Sequence, residues 1–428
     1  VSSNAATGRG RSATRRGRRD GNLLDQWLAR FESPTTTYYL LLGIVGLLVG
    51  IGLVMVLSAS MIVSLKESDS SFTIFLKQFV FAVLGAIVLW WAARRSVAFW
   101  KWLALPALLV SIVLLALVFS PLGFGFQGNR NWIGVGPFTL QPSEIAKLGL
   151  VLSGALILER KRELIGSIKH ALVPFVVPIA FVLLTLVMLG HDLGTAMVIA
   201  IIVVGMLFAA GVHLRWFVVG AGLFAVLGVL AAGLGNSRMQ RIQIWLDPQA
   251  CAPGSELFYD ICRQPMHGRF ALADGGWLGV GLGASREKWG WLSEPYNDFI
   301  FAIIGEELGL LGTLAILGLF AAFALTGMRL VSRTDDLFVR IVTAGICTWV
   351  LVQATINIGA VIGMLPVIGV PLPFVSSGGS SLVTTMLAVG VLLSFARDEP
   401  GCSEMIAAKP SGLRALRARL PIRRTSTR

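Results

Sequence analysis

Residues 288–309 read KWGWLSEPYNDFIFAIIGEELG. A polar loop passes at Asp298 into an apolar helix, and two further acids, Glu306 and Glu307, lie inside the apolar run. Ionisable groups at membrane depth are costly, so they are functional candidates by default. The plainer alternative is that Asp298 only caps the helix, a task Asn297 could also perform.

Around this stretch the chain of 428 residues is 55% hydrophobic and 14% charged, with a mean hydropathy of +0.77. Soluble domains carry roughly 25% charged residues, so composition indicates a polytopic membrane protein. In lipid every backbone polar group must be satisfied internally, which leaves helices or a closed barrel. Long unbroken apolar runs choose helices.

The fold expected is therefore an all-α bundle of ten spans. They are placed at residues 38–58, 72–92, 99–119, 143–158, 171–189, 195–212, 216–234, 298–319, 339–365 and 380–395. Basic residues follow every even-numbered span: Arg94 and Arg95, then Arg160, Lys161 and Arg162, then His213 and Arg215, then Arg329, Arg333 and Arg340, then Arg397. The positive-inside rule then puts both termini in the cytoplasm. Three divisions result: a basic, disordered tail at 1–35, a transmembrane domain at 36–397, and a second basic tail at 398–428. Much of the net charge of +13 lies in those tails. Anionic lipid headgroups suit it better than nucleic acid. The N-terminal residues have no apolar core of the signal-peptide kind.

Three outer segments are too elaborate for simple turns. They are residues 121–142, the large loop 235–297 between the seventh and eighth spans, and residues 366–379, PVIGVPLPFVSSGG. In the last, Pro371, Pro373, Gly378 and Gly379 are expected to shape a rigid turn. The run GGWLGVGLG at 275–283 follows no βαβ strand, so close-packed turns or a re-entrant segment suit it better than a nucleotide fingerprint. Cys251 and Cys262 are the cysteines of the exported loop and are expected to form a disulfide, because that compartment is oxidising.

Four polar clusters lie toward the outer face. One holds Arg130, Trp132, Gln141, Ser143, Glu144 and Lys147, and there the spacing of Glu144 and Lys147 lets them pair on one helix face. Another is Asp192 in HDLGTA. A third is Lys288, Glu294, Asp298 and Glu306. The fourth is Gln353 and Asn357 on one helix face, followed by Ser376, Ser377, Ser380 and Ser381. Glu144–Lys147 could equally be a self-neutralising pair, and Gln353 and Asn357 interhelical glue. No metal-ligand spacing, nucleophile elbow or Walker loop is present. What remains is carboxylate chemistry with basic helpers. A straight helix would carry Glu307 to the far side from Asp298 and Glu306 about 12 Å deeper. That leaves Asp298 as the base and Glu306 as a structural acid.

Several motifs together carry a family resemblance. NRNWI and QPSEIAKL, DLGTA, GGWLGVGLG, EPYNDFIFAIIGEELG and QATINIGAVIGMLPVIGVPLPFVSSGGSS occur in this order across nearly all the membrane region. The chain resembles the SEDS proteins (shape, elongation, division, sporulation), and FIFAIIGEELG looks more like the cell-division branch than the elongation branch. It departs from the family at Tyr296-Asn297, at Gly190-His191 and at Ser377, where the family often has His-Thr, Gln-Pro and Tyr.

The resemblance implies ten spans and a peptidoglycan glycosyltransferase that polymerises lipid II at the outer face of the bacterial cytoplasmic membrane, at the septum. It matches Asp298 to the family's essential loop aspartate, as base for an inverting transfer. Lys288 and Arg130 would then stabilise the departing pyrophosphate, with a divalent cation (Mg or Mn) as an optional helper and no protein metal site. Trp132, Glu144, Lys147, Asp192, Gln353, Asn357, Ser376 and Ser377 are the expected substrate-facing residues. A class B penicillin-binding protein, a transpeptidase, and other divisome proteins are the implied partners. The rival functions are a lipid II flippase and a non-catalytic divisome scaffold.

Overall fold

The computed structural model describes residues 33, 35–126, 129–135, 138–165, 172–220, 222, 236–247, 251, 261–399, 401, 402, 404 and 405. Both basic tails lie almost entirely outside the described residues. Among the described residues, six helices are long and apolar enough to cross a membrane. They are α1 (Thr36–Ser68), α2 (Thr73–Ala92), α3 (Val97–Leu117), α9 (Ile300–Arg333), α10 (Leu337–Val361) and α11 (Ser380–Arg397). Between them lie α4 (Pro142–Arg160) and the shorter apolar helices α5 (Phe175–Leu189) and α6 (Leu193–Ala209). The expected seventh span begins as helix at residues 214–220, and most of its remainder lies outside the described residues. The protein is a polytopic helical membrane protein; ten remains the expected number of spans.

The bundle is built around α4. Pro142 opens it at a position where a missing N–H costs nothing. Almost every residue from Pro142 to Leu158 is buried, so α4 has protein on all sides. By contrast α2 and α3 each bury one stripe and expose Leu76, Val80, Val83, Ile87, Leu105, Leu109 and Val113. Those exposed leucines and valines are the surface a lipid bilayer would cover.

The outer segments hold structure that the helix-based reading did not anticipate. Residues 121–142 contain a three-stranded antiparallel meander, β1 (Gly123–Phe126), β2 (Asn129–Val135) and β3 (Phe138–Leu140), with Phe124 opposite Trp132 and Ile133 opposite Leu140. The large loop contributes α7 (Asn236–Leu246) and α8 (Arg263–Gly275). Cys251 and Cys262 are bonded, with Cα atoms 5.7 Å apart.

The eighth span departs most from expectation. α9 is broken at Gly309, whose φ of 68° and ψ of −164° no helix can contain. A Cβ on Gly305 would lie 3.3 Å from Thr313 Cγ2. In a straight helix residues eight apart are separated by about 12 Å along the axis. The two halves therefore fold against each other. The break leaves carbonyls and N–H groups without helical partners, and the 275–283 glycine run supplies them. Val280 and Gly281 donate to the carbonyls of Glu306 and Glu307 at 2.9 and 3.1 Å, while Leu310 donates to the Gly276 carbonyl at 2.9 Å. Gly275 is packed so closely that a Cβ would lie 1.9 Å from the Gly305 carbonyl oxygen. Close-packed turns are thus the form this run takes.

The stretch 310–333 alone rises about 36 Å, enough to cross the hydrocarbon by itself. The span thus shifts from the expected 298–319, and residues 300–308 become a separate short helix beside the loop.

Candidate active site

Asp298 stands at the entry to this short helix without capping it. The helix begins after Phe299 with no side-chain cap. The turn is closed by Glu294, whose carbonyl accepts from the N–H groups of Asn297 and Phe299 at 3.1 and 3.4 Å. The Glu294 carboxylate takes the Asn297 side-chain amide at 2.6 Å. No hydrogen bond to the Asp298 carboxylate occurs among the described residues. It is half-buried at a cleft lined by Phe299, Asn357 and residues 367–370. A Cβ on Gly369 would lie 3.4 Å from its Oδ2. Burial pushes its pKa up to about 6; the Glu294 carboxylate adds to the rise and the Arg241 guanidinium opposes it. A carboxyl so placed can accept a proton near neutral pH.

The fourth cluster of the sequence converges on this aspartate. Asn357 Nδ2 donates to the carbonyls of Asp298 and Val370, both at 2.8 Å. Ser376 Oγ donates to the Asn297 carbonyl and receives the Leu372 N–H, each at 2.8 Å. Ser377 donates its N–H to the Tyr296 carbonyl at 2.9 Å. The Pro371–Pro373 segment is thereby strapped over the Asp298 turn, with Pro373 buried and Phe374 at a positive φ of 66°. Gly379 has a φ of 39°, whereas Gly378 serves through its N–H, which reaches Gln78 Oε1 at 3.3 Å. Sequence reasoning passed over Gln78, a lone amide in an apolar helix that also donates to the Ser376 carbonyl at 3.1 Å. Asn297 Oδ1 and Asn357 Oδ1 are buried without a partner. Two hydrogen-bond acceptors beside Asp298 are thus uncommitted.

Other expected residues are occupied elsewhere. Lys288 is not a free cation: it is buried and gives its ammonium to Glu307 Oε1 at 2.8 Å, the Gly283 carbonyl at 2.7 Å and Ser58 Oγ at 3.1 Å. The reason is the α9 break, which brings Glu307 back against the loop. Glu306 accepts from Ser285 Oγ at 2.5 Å and from the Arg286 N–H at 2.7 Å, so it is tied to the loop and not sunk in lipid. Arg130 is exposed, with Nη2 on the Ser120 and Gly123 carbonyls at 2.9 and 3.4 Å. Trp132 is half-buried in β2. Asp192 caps α6, taking Thr195 N at 2.9 Å, Thr195 Oγ1 at 2.8 Å and Asn131 Nδ2 at 3.0 Å. Glu144 and Lys147 pair at 2.7 Å, fully buried, with the ammonium 4.9 Å from the Trp349 ring centre. Gln353 accepts from Trp349 Nε1.

The cation that acts on Asp298, Arg241, is a residue the sequence did not single out, and so is its neighbour in the adjoining cleft, Arg269. Arg241 of α7 donates to the Val367 carbonyl at 3.2 Å, on the strand of chain that lines the cleft. Arg269 of α8 lies against Gly363. Among the described residues no three His, Cys, Asp or Glu side chains are placed to hold a metal ion.

Comparison with known proteins gives the same family as the motifs. The sequence model of the FtsW/RodA/SpoVE cell cycle proteins matches residues 38–400. The probable peptidoglycan glycosyltransferase FtsW of Mycobacterium tuberculosis is 40% identical over 387 residues, covering 90% of this chain and 71% of that protein. Stage V sporulation protein E of Bacillus subtilis is 39% identical over 367 residues, covering 85% and 98%. A chain of a peptidoglycan synthase complex, described as coordinating polymerization and crosslinking, superposes with a TM-score of 0.67 at 27% identity, over 84% of this chain and 98% of that one. The rod shape determining protein RodA of Thermus thermophilus gives a TM-score of 0.61 at 25% identity, over 84% and 96%. The chain belongs to the SEDS family of FtsW/RodA/SpoVE cell cycle proteins and lies on its FtsW branch.

Proposed function

We propose that this protein is a peptidoglycan glycosyltransferase that polymerises lipid II for septal wall synthesis, with Asp298 as its general base. The observation that carries the reading is the Asp298 carboxylate: half-buried, unbonded, raised to about 6, and open to a cleft. The acceptor's sugar 4-hydroxyl would give its proton to Asp298 as its oxygen attacks the donor's anomeric carbon. The bond from that carbon to the phosphate oxygen breaks, and the prenyl diphosphate leaves with the electron pair. Attack opposite the leaving group inverts the anomeric centre. A divalent cation would be carried to the site by the substrate diphosphate, where it would offset the charge on the leaving group.

The test is polymerisation of purified lipid II in detergent, where transport across a membrane has no meaning. Polymer from the wild type and none from Asp298→Asn supports the reading. A folded wild type that makes no polymer would leave the flippase or scaffold functions. The partner that fits is a transpeptidase of the class B penicillin-binding kind, since the synthase complex of similar fold couples polymerization to crosslinking. Both termini are proposed to be cytoplasmic. A cysteine placed at Ser411 should then resist an impermeant thiol reagent in intact cells, and labelling there would overturn the topology.

A further inference from the structure

Beside the Asp298 cleft lies a second one, between the ends of α7, α8 and α10. Arg241, Trp245, Gln264, Arg269, Gly363 and Val367 are among its lining residues. The two clefts share Ala360 and Val367, so they are continuous along one stretch of chain. Arg241 and Trp245 are one turn apart on α7 and both grip the α10 end, Arg241 at the Val367 carbonyl and Trp245 Nε1 at the Gly363 carbonyl, each at 3.2 Å. Arg269 approaches from α8. A Cβ on Gly363 would lie 3.1 Å from its Nε and 3.2 Å from its Cζ, so the guanidinium rests on a glycine, with φ of 82°, that leaves it room.

No carboxylate lines this cleft among the described residues. Two guanidiniums facing one cleft with no acid between them repel one another, which favours an anion there. Arg241 spends one N–H on Val367, and a guanidinium has five. The Cys251–Cys262 bond ties the chain after α7 to the first turn of α8, so the helices that carry the two arginines are fastened together. Meanwhile Lys288, the cation the sequence favoured, is neutralised by Glu307.

We propose that the Arg241–Arg269 cleft is the subsite for the diphosphate of a prenyl-linked substrate. It rests on the glycosyltransferase reading for its place in the reaction, with the leaving group one cleft away from the base. A planar guanidinium binds phosphate oxygens bidentately, which a lysine cannot do. The arginines hold the diphosphate as negative charge develops on it, and the neighbouring cleft then receives the acceptor sugar.

Arg269→Gln is the informative variant, because Arg269 is exposed and its loss breaks no fold-bearing bond among the described residues. The purified full chain in detergent is titrated with undecaprenyl diphosphate, undecaprenyl monophosphate and phosphatidylglycerol, and lipid II kinetics are measured in parallel. The wild type is expected to prefer the diphosphate. Arg269→Gln is expected to lose about 10- to 100-fold in diphosphate affinity, the scale of charge-assisted hydrogen bonds, and to raise KM for lipid II. Arg269→Lys should recover only part of the loss. Asp298→Asn, which removes a negative charge near Arg241, should bind the diphosphate at least as tightly as the wild type. If Arg269→Gln keeps wild-type diphosphate affinity, or phosphatidylglycerol binds equally well, the subsite is overturned. If diphosphate binding depends on Arg269 but the wild type makes no polymer, the subsite stands and the glycosyltransferase reading falls.

Discussion

Asp298 and Glu307 stand near opposite ends of one short helix, and their surroundings differ completely. Glu307 is fully buried and saturated: Ser58 Oγ reaches both its oxygens at 2.7 Å, Lys288 Nζ lies at 2.8 Å, and the Ser285 N–H at 3.4 Å. Asp298 has a carboxylate that no described group bonds, in a site that disfavours its charge. A buried ion pair that is fully hydrogen-bonded holds structure, and removing one partner leaves an uncompensated charge. An acid whose ionisation is disfavoured and whose oxygens are free is instead available to take a proton. The comparison teaches that two carboxylates from one sequence motif can be given opposite surroundings, one saturated and one open, by the donors that folding brings to them.

The largest test is Asp298→Asn. Polymerisation should fall by about 10²- to 10⁴-fold, as for loss of a general base. Stability should move the other way. The folded-state pKa of about 6 lies above the ordinary 3.8. The folded protein therefore binds this proton more tightly, and wild-type stability from this group is greatest below pH 3.8 and falls as pH rises through about 6. A neutral amide in place of the carboxylate would escape that cost, so the variant should melt higher than wild type at pH 7.5 and lose the advantage by pH 4. An equally active or less stable variant at neutral pH would break the comparison.

Glu307→Ala should do the opposite, because it strands the Lys288 ammonium in a buried site. About 3–5 kcal/mol of stability should be lost, read as a lower melting temperature in detergent. A melting curve within error of wild type would show that the pair is not structural. Ser58→Ala keeps the pair and removes one donor to a charged group, for a smaller loss of about 2 kcal/mol. The smallest effect is in the pH profile. Catalysis should require ionised Asp298, so the rate at pH 5 should lie about tenfold below its plateau. A flat profile between pH 5 and 7 would separate the base from Asp298.

Several of these features were legible in the residues. Asp298 and the 366–379 turn each lie in a continuous motif, so each could be read locally, whereas the Asn357 contact joins it to a carbonyl 59 residues away. The break at Gly309 was not legible, because an isolated glycine in an apolar helix is ordinarily tolerated. What makes it a break is the glycine run at 275–283, more than twenty-five residues earlier, which fills the hydrogen bonds the helix gives up. Lys288 was misread for the same reason. Its partner Glu307 is nineteen residues away in sequence, and Ser58 is 230 residues away. The strands of 123–140 were hidden because short outer segments of a membrane protein carry little periodicity.

The amino-acid sequence by itself determined the class of protein, a multi-pass helical membrane protein, because hydropathy and charge act locally and sum along the chain. It also determined the family, through motifs of contiguous residues. Only the tertiary structure decided which charged groups are spent and which are free. A side chain's ionisation and reach depend on the donors and cations that folding brings beside it, and those come from distant segments: Ser58 and Lys288 to Glu307, Asn357 and Gly369 to Asp298, Arg241 and Arg269 to the cleft at the end of α10.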